Sequence, residues 1–494
     1  MQNGTLLAAV DLGSNSFRLE IGRLDHGLII RTEYLKETVR QGNGLDEARN
    51  LTPEAMRRGW DCLARFGERL AGFRKNQVRA VATQTLREAR NRDIFLARAH
   101  IILGFPIDVI PGREEARLIY QGVAHLLPQS DERRLVVDIG GRSTELILGQ
   151  RFAADTTESY RVGSVAWSMK HFAEGQFTEG AFARAEIAAK AVLDEALTVY
   201  RPSDWDVAYG ASGTIGAVAD VLAAAGRPAG VIDRPGLAWL HERLLAARSA
   251  DKLRLDGIKE DRRAVIGGGL SVLQAVFDLL EIDVLHAAQG ALRHGVLFDL
   301  LDRQDGGTDI RSTTVQALAS KFGVDVPQAT RVARVASDLL RQLHVGDSKE
   351  AIDRQERKLG WAARLHEIGS QISHSDYHKH GAYILDHADA PGFAQPELHR
   401  LSLLVLGHRG KLRKLDADFD DEQFVHQLLC LRLAVILCHA RREPDLRGLQ
   451  LHGSGRVVTL AVRPDWLQAW PQSAHLLREE VVAWQKTSWI LALS

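Results

Sequence analysis

Two short stretches place a carboxylate where an apolar run meets glycine and small polar residues. The first is VDLGSNS, with Asp11 at its centre, and the second is VDIGGRSTE, with Asp138 and Glu145. Backbone N–H groups at a glycine turn bind phosphate oxygens, and a neighbouring carboxylate binds Mg²⁺ through its waters. Ser143 and Thr144 add hydroxyl groups suited to phosphate or to metal-bound water. One such turn fits an ordinary hairpin equally well, but two copies in matching context favour a phosphate and Mg²⁺ site.

A helix start supplies the next candidate. In IPGREEARLIYQG, proline and glycine end a strand, and Glu114 and Glu115 then open a helix. Acids in a first turn are favoured by the helix dipole alone. However, the preceding strand belongs to the same half of the chain as the first glycine turn, so this helix start is expected to face the same cleft. A carboxylate there can accept a proton from a water that attacks a phosphoryl group.

Two further segments offer donors to phosphate. ATQTLREARN places Arg87 and Arg90 one helical turn apart, although solvated surface arginines are an equally good interpretation. A third turn, Ser212-Gly213-Thr214, follows the strand DVAY, and capping of the next helix explains its hydroxyl groups almost as well.

Histidines and basic residues crowd the C-terminal part. Such clustering is typical of metal sites, but few acids lie nearby and helical spacing brings no trio of histidines to one face. Local basic patches fit a groove for a polyanion better, although such patches are usually solvated surface. The predicted track comprises His378, Lys379, His380, His408, Arg409 and Lys411.

The elements that must position these residues follow from periodicity. In residues 1–303, short apolar runs alternate with amphipathic segments, which predicts an α/β architecture. The two glycine turns, each between two apolar strands, indicate an internal duplication whose halves face one cleft. After the predicted linker DRQDGGTDIRS the pattern is helical, with almost no strand signal before GRVVTLAVRPDW. An all-helical domain and a small β-containing cap are therefore expected.

Composition excludes several classes. At 494 residues the chain is too long for one core. Its 63 basic and 63 acidic residues give no whole-chain attraction to a polyanion, and 6% aromatic content argues against stacking on nucleic acid. Three cysteines without zinc spacing and a start without a signal peptide predict a cytoplasmic protein, with peripheral attachment at the inner membrane left open. No run is long enough to span a membrane.

The motif order AAVDLGSNSFRL, TQTLREARN, IPGREEARLIYQGV, VVDIGGRSTELILG, GASGTI and GALRHGVL resembles the exopolyphosphatase and guanosine pentaphosphate phosphohydrolase family. The resemblance covers nearly the whole chain. It implies two ribonuclease-H-like (actin- or sugar-kinase-like) domains at 1–120 and 121–303, an HD-like helical domain at 304–450, and a cap at 451–494. It also implies a homodimer and Mg²⁺-dependent release of the terminal phosphate of inorganic polyphosphate or of pppGpp.

Residue by residue, the resemblance implies that Glu115 is the catalytic base. It implies that Asp138, accompanied by Asp11 and Glu145, is associated with the metal. The phosphate-binding set that it implies, together with the third turn, is Ser14, Asn15, Arg87, Gly140, Gly141, Arg142, Ser143, Thr144, Ser212, Gly213 and Thr214.

The chain departs from the family pattern in two places. Arg142 stands where the family usually has glycine or alanine, so its guanidinium either contacts phosphate or alters the loop. His366-Glu367 replaces the His-Asp of HD-type enzymes, and LCHARR lacks their later aspartate, which predicts a binding and dimerising role for the helical domain.

The histidine- and lysine-rich segment favours a polymer, so exopolyphosphatase is the expected activity, with pppGpp hydrolysis to ppGpp as the alternative. An ATP-dependent kinase-like enzyme is one rival, and it requires ATP-dependent transfer of phosphate to an organic hydroxyl. A non-catalytic sensor of polyphosphate or (p)ppGpp is the rival from another class, and Glu115 and the two Asp loops speak against it.

Overall fold

The computed structural model describes residues 2–26, 28–128, 130–303, 309–344, 348–388 and 390–494. The chain divides into two compact units, Met1–Asp309 and Ile310–Ser494. The predicted linker DRQDGGTDIRS spans this division, and its residues 304–308 lie outside the described part. Among the described residues, no helix is both long enough and apolar enough to cross a lipid bilayer.

The first unit contains two mixed sheets. The first sheet has the order β3-β2-β1-β4-β5 and the second has the order β10-β11-β9-β6-β7-β8. Their strands are β1 (Leu6–Leu12), β2 (Phe17–Asp25), β3 (Leu28–Glu37), β4 (Val78–Ala82), β5 (Ile107–Val109), β6 (Arg133–Ile139), β7 (Thr144–Gln150), β8 (Ala153–Tyr160), β9 (Val207–Ala211), β10 (Val231–Asp233) and β11 (Val284–Ala287).

The duplication predicted from the glycine turns is present in the pairing of the strands. In the first sheet β1 pairs antiparallel with β2 and parallel with β4, and in the second β6 pairs antiparallel with β7 and parallel with β9. Asp11 lies opposite Arg18 in the first hairpin, and Asp138 lies opposite Glu145 in the second. The two hairpins are therefore built in the same register around the same aspartate.

Eleven helices are described in the first unit. Thr52 begins the first of them, since its side chain accepts a hydrogen bond from the Ala55 N–H and Pro53 occupies a first-turn position that needs no donor. The helices are α1 (Pro53–Arg69), α2 (Gln84–Glu88), α3 (Arg92–Leu103), α4 (Gly112–Ala124), α5 (Ser164–His171), α6 (Glu179–Leu193), α7 (Gly213–Ala224), α8 (Arg234–Ala247), α9 (Glu260–Arg263), α10 (Ile266–Leu279) and α11 (Leu292–Asp302).

Alternation along the central strands divides the apolar side chains between separate cores. Ala8 and Val10 of β1 pack in the core beneath α1 and α3, whereas Leu7 and Ala9 pack in a shared core with α4 and α11. Val136 of β6 reaches the same shared core from the second sheet. The two sheets are thus joined through α4 and α11, and this junction fixes the relative position of the two hairpins.

The second unit is helical with one small sheet. Its helices are α12 (Ile310–Lys321), α13 (Val326–Leu343), α14 (Lys349–Leu365), α15 (Tyr377–His387), α16 (Gln395–Gly407), α17 (Glu422–Leu437), α18 (Pro464–Ala469) and α19 (Pro471–Trp484). Strands β12 (Leu449–Ser454), β13 (Val457–Val462) and β14 (Ile490–Leu493) form its sheet in that order. Leu451 and Trp484 belong to the same apolar core as the helices, so the cap and the helical part share one core.

The predicted division at 120/121 falls inside α4, and the one at 450/451 falls inside β12. Helix α4 packs on β7 and β8 of the second sheet, although its first turn points to the site shared by both sheets. Strand signal also begins earlier than expected, because β12 starts at Leu449. The four-domain division and the HD-like character of the helical part stay predictions.

Candidate active site

The first hairpin turn presents Asp11 at the end of β1. Asp11 is almost fully buried, and its Oδ2 accepts a hydrogen bond of 3.0 Å from Nη1 of Arg18 on β2. The turn itself is fixed by residues that follow β3, since the backbone N–H of Gly42 donates to the Ser14 carbonyl and that of Arg40 donates to the Asn15 carbonyl. A buried carboxylate is thereby held at the edge of a rigid turn.

The second hairpin turn is closed by its own backbone. The Gly140 N–H donates to the Ser143 carbonyl at 2.9 Å, and the Ser164 N–H donates to the Gly140 carbonyl at 2.9 Å. A Cβ on Gly141 would lie 3.2 Å from the Cβ of Ser14 in the first turn. A Cβ on Gly163 would lie only 2.6 Å from the Arg142 nitrogen. The two turns therefore approach each other at Gly141, and Gly163, which follows β8, packs too closely on the backbone of the second turn to carry a side chain.

Both turns open onto one cavity of about 380 Å³ in the first unit. The cleft predicted from the duplication is thus present. The predicted site residues that line it are Asp11, Ser14, Asn15, Glu115, Asp138, Gly140, Gly141, Ser143, Ser212, Gly213 and Thr214.

Glu115 reaches the cavity from the first turn of α4. Its Oε2 accepts a hydrogen bond of 2.8 Å from Nη1 of Arg87, which also donates to the Ile110 carbonyl at 2.9 Å. Burial raises the pKa of Glu115, the Arg87 guanidinium opposes this shift, and the nearby Asp11 carboxylate adds to it. A carboxyl with a raised pKa that faces a polar cavity is suited to general acid–base chemistry near neutral pH.

Carboxyl groups from both hairpins lie close to Glu115. Burial, reinforced by Glu115 and Asp11, raises the pKa of Asp138 to about 7, with Arg18 opposing. Burial and Glu115 also raise the pKa of Glu145 well above its ordinary range. Glu145 accepts a hydrogen bond of 2.8 Å from the Ser159 hydroxyl and does not line the cavity. Gathering these acids is electrostatically costly, and a bound cation would relieve the cost.

The donor set of these acids fits Mg²⁺ in a limited way. Within the described ranges, no group of three or more His, Cys, Asp or Glu residues has an arrangement that could hold a metal ion. Mg²⁺ is commonly held by one or two carboxylates while water and substrate phosphate complete its shell. Asp11 and Asp138, which both line the cavity, match that mode of binding, whereas a cage made by protein alone is absent from the described residues.

Three predicted phosphate ligands, Thr144, Arg142 and Arg87, do not line the cavity, and Arg87 instead binds Glu115 and the Ile110 carbonyl. Thr144 is fully buried and donates its hydroxyl to the Val162 carbonyl at 2.6 Å, so the structure does not direct this hydroxyl to a phosphate in the cavity as predicted. It is the first residue of β7, and pleating turns its side chain away from the cavity that Ser143 lines. Arg142 also does not line the cavity, because its guanidinium binds Glu88 and the Gly42 carbonyl.

The third turn has both roles that the sequence left open. Ser212 caps α7, since its hydroxyl oxygen accepts from the N–H groups of Thr214 and Ile215, yet it also lines the cavity. Its φ of 108° is a strained value for a residue with a side chain. The Ser212 hydroxyl thus takes up the N–H groups of Thr214 and Ile215, while the positive end of the α7 dipole still lies at the cavity and favours an anion there.

Sequence reasoning missed the cations of the site. Arg18 lies on β2 and Lys36 on β3. Lys259 and Arg262 lie at α9, and Arg293 lies at the start of α11. Only the position of Arg18 carried a signal, because it matches Glu145 in the duplicated hairpin. The cationic residues that line the cavity are Arg18, Lys36, Lys259, Arg262 and Arg293.

In the second unit, the histidines of the predicted track are partly buried. His408 is buried and its Nδ1 contacts the Val405 carbonyl, and burial lowers its pKa well below the ordinary value. Burial, with Lys414 and Arg409 nearby, lowers the pKa of His378 to about 4. Burial therefore favours the neutral form of both rings, which argues against a contribution of charge from them to the predicted track. Lys379, Arg409 and Lys411 are exposed, and His380 is half-buried.

The HD-like position holds an ion pair. Nη2 of Arg441, from the segment LCHARR, lies 2.6 Å from Oε1 of Glu367. His366 next to it is buried, and burial lowers the pKa of its ring. An arginine in contact with the acid disfavours a metal ion at this position.

Comparison with known proteins supports one family. Residues 21–304 match the model described as the Ppx/GppA phosphatase family, and residues 310–481 match Ppx/GppA phosphatase, domain III. The chain is 40% identical to a guanosine-5'-triphosphate,3'-diphosphate pyrophosphatase of Vibrio atlanticus, over 96% of this chain and 95% of that protein. It is 37% identical to a protein of the same name from Pseudoalteromonas translucida, over 99% of this chain and 98% of that protein.

Two solved structures resemble about three-fifths of the chain. An exopolyphosphatase-like protein shares 26% identity and a TM-score of 0.55, over 60% of this chain and 98% of that one. The Aquifex aeolicus PPX-GPPA enzyme shares 25% identity and a TM-score of 0.51, over 60% of this chain and 99% of that one.

Proposed function

Since this chain belongs to the Ppx/GppA phosphatase family, we propose that it hydrolyses the terminal 5'-phosphate of guanosine pentaphosphate, releasing orthophosphate and ppGpp. The observation that carries the proposal is the position of Glu115, a buried carboxyl in a cavity whose walls carry two glycine turns and five cations. The full-length relatives named above, which are called pyrophosphatases of guanosine-5'-triphosphate,3'-diphosphate, favour the nucleotide over the polymer.

The chain's own residues account for the reaction in three parts. N–H groups of the two glycine turns bind the oxygens of the terminal phosphate, and the positive end of the α7 dipole favours its negative charge. The Glu115 carboxylate accepts a proton from the attacking water, and its hydrogen bond to Arg87 fixes the direction of that carboxylate. The cations at the rim neutralise the remaining phosphates. Phosphoryl transfer depends chiefly on such positioning and charge neutralisation.

Mg²⁺ is the proposed cofactor, held by Asp11 and Asp138 with Glu145 behind them. When bound, it would neutralise charge on the phosphates. The raised pKa of Asp138 supports this assignment, because a cation is the missing partner of that carboxyl group.

Nucleotide and polymer make different demands on the protein. Guanosine pentaphosphate carries a compact set of charges that one cavity of about 380 Å³ with a cationic rim can contact. A long polymer rewards an extended basic track, and in the second unit two members of the predicted track are buried, which favours their neutral form. The preference for polyphosphate expected from the sequence is therefore replaced by the nucleotide, and exopolyphosphatase activity is the second candidate.

The test measures orthophosphate release with Mg²⁺ from pppGpp and from long-chain polyphosphate, for the wild type and Glu115→Gln. We expect preference for pppGpp and a loss of kcat of about 10²- to 10⁴-fold in the variant, with binding of pppGpp retained. Faster release from polyphosphate would select the second candidate. Binding of either ligand without release by the wild type would indicate a sensor, and a requirement for ATP and an organic acceptor would indicate a kinase.

A further inference from the structure

Arg142 is the residue at which this chain departs from the family's glycine loop, and its side chain points away from the cavity. Nε and Nη2 of Arg142 donate to Oε2 of Glu88 at 3.1 and 2.8 Å, and Nη1 donates to the Gly42 carbonyl at 3.0 Å. Glu88 ends α2, which packs on β4 of the first sheet, whereas Arg142 lies between β6 and β7 of the second. The contact thus joins the second glycine turn to an element of the other sheet.

The hydrogen bonds continue beyond Glu88 without interruption. Oε1 of Glu88 accepts from Nε2 of Gln84 at 2.7 Å, and Oε1 of Gln84 accepts from Nε of Arg87 at 2.9 Å. Nη1 of Arg87 then donates to Glu115 at 2.8 Å. All four side chains before Glu115 are buried or half-buried, which strengthens each hydrogen bond relative to one in water.

We propose that Arg142, Glu88 and Gln84 are positioning residues that orient Arg87, and through it Glu115, relative to the second glycine turn. The expected effect on kinetics rests on the proposed function, whereas the positioning role itself rests on the observed contacts. Helix α2 has only five residues, so its own hydrogen bonds hold it weakly. The contact between Arg142 and Glu88 holds α2 against the second glycine turn. Through Arg87, the position of the Glu115 carboxylate then depends on the position of that turn.

The geometry explains why an arginine is tolerated in a glycine-rich turn. A Cβ on Gly42 would lie 3.1 Å from Cδ of Arg142 and 3.2 Å from Cβ of Ser14. The Arg142 stem therefore packs against Gly42, whose N–H binds the first turn, while its guanidinium leaves the cavity free. A lysine at this position keeps one charge but lacks the planar fork that binds a carboxylate through two nitrogens.

The kinetic experiment compares Arg142→Ala, Arg142→Lys, Glu88→Gln and Gln84→Leu with the wild type on pppGpp. Arg133→Ala is the matched control, because Arg133 also binds a carboxylate, Asp206, through two nitrogens but lies at the far end of β6. We expect kcat to fall about tenfold in the alanine, glutamine and leucine variants, KM to change by less than about twofold, and lysine to restore part of the rate. The double variant Arg142→Ala with Gln84→Leu is expected to have a kcat no lower than that of the less active single variant, because both changes break the same series of hydrogen bonds.

A rise in KM at constant kcat for Arg142→Ala would show that the guanidinium binds substrate and would overturn the proposal. Unchanged kinetics in all variants would overturn it as well. A crystal structure of Arg142→Ala decides the question independently of turnover. We expect the Arg87–Glu115 contact to lengthen beyond hydrogen-bonding distance, and a contact retained at 2.8 Å with Gln84 unmoved would refute the positioning role. If the wild type hydrolyses neither substrate, the proposed function fails, and the crystal structure still tests the positioning role.

Discussion

Arg18 and Glu145 occupy equivalent positions in two hairpins of the same register, and they carry opposite charges. Arg18 lies opposite Asp11, and Glu145 lies opposite Asp138. One half of the site is thus neutralised by its own arginine, whereas the other half gathers two acids. The uncompensated negative charge of the site therefore lies in the second hairpin, and this has consequences for stability that can be measured.

The first prediction concerns pH. Because burial raises the pKa of Asp138 to about 7, the folded state retains a proton that the unfolded state has lost above about pH 4. Stability is therefore expected to fall as pH rises from about 4 to 7 and to level off above 7. Asp138→Asn removes the Asp138 part of this dependence, while Glu115 and Glu145 keep theirs, and is expected to stabilise the metal-free protein at pH 8 by on the order of 2 kcal/mol. Denaturant unfolding with chelator at several pH values measures it, and an unchanged slope in the variant would contradict the assignment.

The second prediction tests whether Glu145 supports Mg²⁺ binding or has only a structural role. Glutamine has the shape of the protonated carboxyl that burial favours here, so Glu145→Gln is expected to leave the Tm in chelator unchanged or slightly higher. If Glu145 supports the cation, the Mg²⁺ concentration for half-maximal activity rises severalfold. Glu158→Gln is the control, because Glu158 lies on β8 and binds Arg113. Equal Mg²⁺ requirements in both variants would remove Glu145 from the metal site.

The third prediction uses neighbouring residues with different orientations. Ser143 lines the cavity, whereas Thr144 donates its hydroxyl to the buried Val162 carbonyl. Thr144→Val is expected to lower the free energy of unfolding by about 1–3 kcal/mol while kcat/KM stays within about twofold. Ser143→Ala is expected to do the reverse, with a lower kcat/KM and little change in stability. Loss of kcat/KM in Thr144→Val at temperatures where it is folded would restore Thr144 as a ligand.

The fourth prediction compares two glycines near the site. A Cβ on Gly163 would lie 2.6 Å from the Arg142 nitrogen, whereas a Cβ on Gly216 would have no neighbour within 4 Å. Gly163→Ala is expected to displace the second turn, lowering kcat by at least about tenfold and destabilising the protein by about 1–3 kcal/mol. Gly216→Ala, inside α7, is expected to preserve stability or raise it slightly. Thermal unfolding and phosphate release on both variants check this, and similar behaviour would contradict the steric argument.

The fifth prediction tests the predicted track. Arg409 and Lys411 are exposed in the second unit, and Arg409 lies over the ring of Tyr377. Under the proposed function, Arg409→Ala and Lys411→Ala leave kcat/KM for pppGpp within about twofold. A severalfold rise in KM for long-chain polyphosphate alone would show that these residues serve the second candidate. Asp376→Ala is a useful control, because it removes the partner of Lys379 without removing a cation.

Much of the architecture was predictable from short sequence patterns that determine local structure. The signal for each hairpin, an apolar strand that ends in Asp-x-Gly, lies within a few consecutive residues. Because it occurs twice, both hairpins and their common cavity were predictable. Arg18 and Arg293 were not assigned to the site, because a single arginine in a strand or helix looks the same whether it faces solvent or a cavity. The orientation of Thr144 was not predicted because adjacent residues at a strand start point to opposite faces, and only the register decides which.

The helical unit shows a different limit. His378 and His408 lie beside basic residues in the sequence, yet the ends of α15 and α16 fold these rings inward. Strand β12 was not predicted, because LQLHGS contains no β-branched residue and alternates apolar with polar ones only briefly. In both cases tertiary packing decides what local composition leaves open.

The junction of the two sheets also constrains synthesis of the chain. Arg79 on β4 is buried, and it binds Asp299 on α11, which also binds Arg117 on α4. In a nascent chain that has emerged only as far as the first sheet, the guanidinium of Arg79 lacks its principal acidic partner, Asp299. We therefore expect the first sheet to reach its final packing only after residue 299 has left the ribosome, although its last strand ends at Val109.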